Sequence, residues 1–168
     1  MNKKFLPSLV CGFGASVITI IPGFSSFACC LVIPIAAGIS IGLFKKTNPD
    51  IIKIQTGTAV LLGLMTGLFA AVFASSFEII LTYFTKSNEL VLAMPQTEDM
   101  IRQMNLGTAA EDSIKLMKQM IFHIQTKGFS ILYSILITLS NLLTFSIFGM
   151  LGGVLGAAII NRRSKPVS

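Results

Sequence analysis

Residues 56–84 read TGTAVLLGLMTGLFAAVFASSFEIILTYF, and they hold a single charge, Glu78. A helix needs about 20 mostly apolar residues to cross the hydrocarbon core of a bilayer. Lipid offers the backbone no hydrogen bonds, so a stretch of this kind satisfies its own amides as a helix. The apolar and polar alternation of a membrane strand is absent. At about 1.5 Å per residue the stretch is longer than a core of about 30 Å, so it tilts or projects beyond it.

Working outward, three further stretches meet the same test: residues 5–21, 27–44 and 129–160. Pro22-Gly23 interrupts the first pair, Lys45-Lys46 ends the second stretch, and Asn161-Arg162-Arg163 ends the last. The composition agrees. Of 168 residues, 53% are apolar and only 12% charged, which excludes a disordered chain and leaves too few charges to coat a soluble globule. The expected fold is an all-α integral membrane protein, a four-transmembrane-helix bundle forming one membrane domain over residues 1–168. An extracytoplasmic amphipathic helical insert, residues 85–128, joins the third and fourth spans.

Within the insert, Pro95 is expected to stop the chain, and Thr97-Glu98-Asp99 reads as a helix start that ends near Asn105 and Gly107. Thr108-Ala109-Ala110-Glu111 matches a capping box, predicting a helix to Lys127 with Gly128 as cap or hinge. Ile114, Met117, Ile121 and Ile124 share one face of that helix, which can lie on the bilayer surface or cover the bundle.

Charge sets the orientation, because short cytoplasmic segments carry the excess of Lys and Arg. Lys3, Lys4, Lys45, Lys46, Lys53, Arg162, Arg163 and Lys165 are eight of the 13 basic residues, and they fall before span one, between spans two and three, and after span four. The turn at 22–26 has no charge, and the insert balances five bases against five acids. The net charge of +6 is therefore an orientation signal, with both termini cytoplasmic and the insert outside. Nucleic-acid binding has no support, since no basic patch with interleaved aromatics occurs. A rival reading takes Lys3-Lys4, the first apolar run and Ser26-Phe27-Ala28 as a cleavable signal. Cleavage would leave Cys29 entering a hydrophobic span with almost no spacer.

Membrane helices associate by close packing, which favours small residues. Ala59, Gly63, Gly67, Ala71 and Ser75 recur every four residues in the third span, and Gly149, Gly153 and Ala157 do so in the fourth, beside Gly152 and Gly156. These are the expected helix-packing residues, with Gly63/Gly67 meeting Gly149/Gly153 across antiparallel helices. The same faces could instead meet a protein partner or a second copy. Similar basic endings, Lys45-Lys46-Thr47-Asn48-Pro49 and Arg162-Arg163-Ser164-Lys165-Pro166, hint at two related hairpins, although orientation alone accounts for them.

Polar residues inside spans are the candidate site. An intramembrane acid is costly and often functional. Glu78 lies six residues before Phe84, about 9 Å from the outer end of its span, with Tyr133, Ser134 and Thr138 at similar depth. It reads either as a proton or cation site or as a wetted, hydrogen-bonded acid near the interface. Asn141, nearer mid-span, reads as interhelical glue or as a substrate contact. Cys11, Cys29 and Cys30 lack His or acid at ligand spacing, so no metal is expected. His123, the single histidine, reads as a surface residue. No phosphate loop, dinucleotide fingerprint, zinc-protease motif or nucleophile elbow occurs, so neither catalytic residue nor cofactor is expected.

The third span from Thr58 to Phe84, the Met-containing amphipathic stretch from Glu111 to Gly128 and the glycine-rich last span ending in Asn161-Arg162-Arg163 form a familiar layout. It resembles a family of small four-span bacterial inner-membrane proteins known only as a domain of unknown function. The resemblance covers Thr56 to Lys165; the Pro22-Gly23 and Cys29-Cys30 region does not carry it. It implies class and an inner-membrane location, and no site. The functional expectation is a non-enzymatic small subunit or accessory protein whose insert meets a partner or the bilayer surface. The alternative is a small transporter or channel using Glu78 and Asn141.

Overall fold

The structure, a computed structural model, describes residues 5–21, 25–104 and 107–163, without the side chains of 25–29 and 163. The expected Pro22-Gly23 break, the bases Lys3, Lys4 and Lys165, and the side chains of Cys29 and Arg163 lie outside the described residues. Six helices and no strand occur among the described residues: α1 (Leu6–Thr19), α2 (Ser25–Thr47), α3 (Thr56–Thr85), α4 (Glu89–Gln103), α5 (Thr108–Lys127) and α6 (Ile131–Arg163). Three of them, α2, α3 and α6, are long and apolar enough to cross a membrane; α1 is apolar but has only 14 residues.

The chain separates into two compact units, one of residues 1–76 and 138–168, the other of residues 77–137. In the first, α1, α2, the first part of α3 and most of α6 close into a ring. Ser8 on α1 meets Ser40 on α2 at 3.1 Å and donates to the Leu62 carbonyl of α3 at 3.1 Å. Gly12, one turn further along α1, faces Thr66 and Ala70 of α3, so these two helices run parallel. Gly63 faces Gly149 and Gly67 faces Phe145, so α3 and α6 run antiparallel. Gly152 lies on Pro34 and Gly156 on Gly38, which makes α6 parallel to α2. Helix α6 thus carries two glycine faces, 149/153 toward α3 and 152/156 toward α2. Small residues are used here because dispersion falls steeply with separation, and only glycine lets two backbones touch.

One end of this ring is a closed apolar cluster of Ile41, Phe44, Ile54, Ala59, Leu62 and Ala157, with Phe5, Ile51 and Ile160 against it. Asn161 fastens the α2–α3 loop to it: its Oδ1 accepts from the Ile54 amide and its Nδ2 donates to the Ile54 carbonyl, both at 3.0 Å. Lys45, Lys53 and Arg162 are chain neighbours of these anchors, so the basic segments around 45–53 and 162 converge on a single end.

In the second unit α4 and α5 pack on the end of α3 and the first turns of α6. Three expectations are corrected here. Helix α4 begins at Glu89 and contains Pro95, rather than stopping there and restarting at Thr97. Asn88 supplies the reason: its side chain accepts from the Val91 amide at 3.0 Å, capping the helix a full two turns earlier. Leu90 and Val91 then pack with Met120, Ile124 and Tyr133, and this burial offsets the roughly 3 kcal/mol penalty of an internal proline. The Thr108 capping box does not form. Gly107, at φ 58°, is the N-cap and makes no side-chain cap bond, so Thr108 is already inside the helix. Met120, not Ile121, is the buried residue at the centre of α5's apolar face. Gly128 ends α5 in the left-handed region at φ 72° and donates to the Ile124 carbonyl at 2.7 Å.

Candidate functional site

Glu78 projects from α3 in the second unit, where an apolar helix face leaves its carboxylate few partners. Tyr133, in the first turn of α6 and 8% exposed, donates its hydroxyl to Glu78 Oε1. Asn88 stands beside that hydroxyl. Its Oδ1 is committed to the cap of α4, and its Nδ2 is buried with no acceptor at hydrogen-bond distance among the described residues. Carboxylate, phenol and amide therefore converge from α3, α6 and the start of α4. Thr82 and Ser130 are buried polar residues of the same unit. Ser134 donates to the Ser130 carbonyl at 2.9 Å, and the Ser130 hydroxyl accepts from the Tyr133 amide at 3.5 Å. Such an arrangement can hold a proton between phenol and carboxylate and fix the ring's orientation.

Asn141 lies in the first unit, where its Nδ2 donates to Ser75 Oγ at 3.1 Å across α3 and α6. Ser75 is 2% exposed and Asn141 is half-buried, so the bond lies at the contact between the two helices. The four polar residues expected as one candidate site thus form a Glu78–Tyr133 pair, with Ser134 the next residue of α6 and bonded to the Ser130 carbonyl instead, and a separate Asn141–Ser75 pair.

The helix-packing residues lie on opposed faces. A side-chain carbon at Gly63 would strike the Gly149 carbonyl, one at Gly67 the Phe145 carbonyl, and one at Gly153 the Ala59 carbonyl. Ala59, Ala71 and Ala157 are all under 5% exposed. Gly38 and Gly42, by contrast, have room for a methyl group.

Outside the apolar helices the strongest electrostatic feature is Glu98. It pairs with Arg102 at 2.8 Å on its own helix and with Lys118 of α5 at 2.9 Å. The hydrogen bonds from Arg102 and Lys118 hold the Glu98 carboxyl below the usual carboxylate range, and Glu98 in turn raises the Arg102 guanidinium.

Sequence reasoning missed Asn88, Ser8, Ser40 and Asn161. Asn88 was legible as a cap residue before Glu89-Leu90-Val91, but Pro95 pointed elsewhere. Ser8 and Ser40 carry no positional signal, since their bond joins residues 32 apart. Comparison with protein-family models, with curated proteins and with solved structures finds no match for this chain.

Proposed function

We propose that the protein is a four-span, non-enzymatic inner-membrane subunit or accessory protein, with both termini and the 45–55 loop cytoplasmic and the α4–α5 insert outside. The observation that carries this reading is how the polar side chains of the four-helix ring are used. Ser8 bonds Ser40 and the Leu62 carbonyl, Thr66 the Leu62 carbonyl at 2.8 Å, and Asn141 bonds Ser75. The Ser8 and Asn141 bonds tie one helix to another, and the Thr66 hydroxyl is satisfied within α3. Helix α1 takes part as a full member of the ring, parallel to α3, which supports counting it as a span. Its 14 residues give about 21 Å of helix. The flanking Phe5, Ile20 and Ile21 extend the apolar length toward that of a tilted or locally thinned bilayer. The convergence of Lys45, Lys53 and Arg162 on one end supports the orientation.

The glycine faces of α3 and α6 are taken up inside the ring, so partner contact moves to the insert. Affinity purification from native membranes through a tag on the cytoplasmic end tests the subunit reading. A stoichiometric partner is expected; recovery of the chain alone would overturn it.

The Glu78–Tyr133 bond favours one second reading, a proton- or cation-coupled transporter. Under it, proteoliposomes carry a flux that Glu78→Gln abolishes. Wild-type liposomes without flux would remove that reading.

A further inference from the structure

We propose that the α4–α5 insert binds anionic phospholipid headgroups at the outer membrane surface, a deepening of the accessory-protein reading on which it rests. A groove of about 660 Å³ runs along α5, lined among others by Arg102, Lys115, Lys118, Gln119, Phe122 and His123. Three cations line it with one acid, Glu111; Glu98 bridges two of the three from beyond the lining, and Asp99 stands near Arg102. Glu98 holds Arg102 and Lys118 side by side, while Arg102 and Lys118 remain more than half exposed. Lys115 and Gln119 add donors without side-chain partners among the described residues.

The occupant follows from the depth of α5. Its inner face, Met117, Met120 and Ile124, packs with Tyr133 and Ile137 of α6. Ile137 is six residues into that apolar helix, about 9 Å along it. Gly128, at the end of α5, rests on the Tyr83 carbonyl, and Tyr83 and Phe84 form an edge-on aromatic pair at the end of α3. Aromatic residues of this kind mark the headgroup level. Helix α5 therefore runs beside the outermost turns of an apolar helix, at interface depth. Away from its inner face it exposes Leu116 at 49% and Phe122 at 63% next to Lys115 and Lys118. Apolar side chains rimmed by bases suit a surface of acyl chains and phosphodiesters. A soluble acidic protein would account for the bases but not for the depth.

The chain has no tryptophan, so Phe122→Trp installs a single reporter in the groove. The full-length variant is reconstituted in nanodiscs containing brominated phosphatidylglycerol or brominated phosphatidylcholine. Emission is expected to be blue-shifted and quenched several-fold more by the anionic lipid. Adding Lys115→Gln and Lys118→Gln should erase that preference, since each base near an anionic surface contributes about fivefold to partitioning. Equal quenching by both lipids would overturn headgroup recognition. Unquenched, red-shifted emission would overturn membrane contact and leave a protein partner as the occupant. Alkaline extraction of native membranes separates the layers: a chain that stays in the pellet keeps the membrane-protein reading even if quenching fails, and a chain that is released sinks that reading itself.

Discussion

Gly12 and Gly14 sit two residues apart on α1 and have opposite surroundings. A side-chain carbon at Gly12 would lie 2.8 Å from the Thr66 carbonyl, whereas one at Gly14 meets nothing within 4 Å. Gly12→Ala should therefore destabilise the bundle by about 1–3 kcal/mol through overpacking. Gly14→Ala should be neutral or stabilising by up to about 1 kcal/mol, from helix propensity alone. Reversible unfolding in mixed micelles checks the pair; equal effects would mean that α1 does not pack on α3 through this face. Gly67→Leu is the severe case, because the Phe145 carbonyl occupies the space, and it should abolish recovery of monodisperse protein. At Tyr133 the expectation is different. Tyr133→Phe removes the donor to Glu78 and should cost about 1 kcal/mol, within the range of interhelical bonds in membranes. Combining it with Glu78→Leu should add little to Glu78→Leu alone, and full additivity in that double-mutant cycle would show the bond to be idle.

Among the elements, α4 and α5 depend on caps and one ion-pair hub rather than on lipid. Asn88→Ala should cost about 1 kcal/mol and speed hydrogen exchange at the Val91 amide, whereas Thr97→Ala should leave that amide unchanged. Gly128 tolerates no side chain, because φ is 72° and the Tyr83 carbonyl lies 2.6 Å from where the carbon would stand. The link between α4 and α5 is pH-dependent. Glu98 is held below its ordinary value in the folded chain. Its contribution is thus fully present above the unfolded carboxylate value, about 4.3, and is lost as pH falls through the lower folded value. Protection of the α4 amides, corrected for the intrinsic exchange rate, should fall below about pH 4 in the wild type but not in Glu98→Gln. High salt should weaken the same link, since Arg102 and Lys118 face solvent.

For the whole molecule the decisive quantity is topology. With the native cysteines replaced by serine, single cysteines at Lys46, Asp112 and Arg162 can be probed with a membrane-impermeant maleimide. Asp112→Cys is expected to label in intact cells, and Lys46→Cys and Arg162→Cys only after permeabilisation. Lys4→Cys separates four spans from three. It labels with Lys46→Cys if α1 crosses, and with Asp112→Cys if α1 stays on the outer side.

The helical class and the three helices long and apolar enough to cross a membrane were legible in the sequence, because the runs at 27–44, 56–84 and 129–160 are long and apolar, with Glu78 their single charge. The four-residue spacing of Gly63/Gly67 and of Gly149/Gly153 also marked faces meant for contact, because packing is the main force between helices in lipid. Tertiary structure alone decided which partner each face takes. The spacing that set 149/153 against α3 could not say that 152/156 lies on Pro34 and Gly38, since periodicity names a face and never its neighbour. It also decided the polar pairs. Asn141 chose Ser75, Glu78 chose Tyr133, and Asn161 closed on Ile54, 107 residues away in the chain. Such bonds depend on angstrom-scale juxtaposition of distant residues, which no local pattern encodes. The start of α4 was settled in the same way: Pro95 is a strong local stop signal, and the cap at Asn88 with burial of Leu90 and Val91 outweighs it only once α5 and α6 are in place.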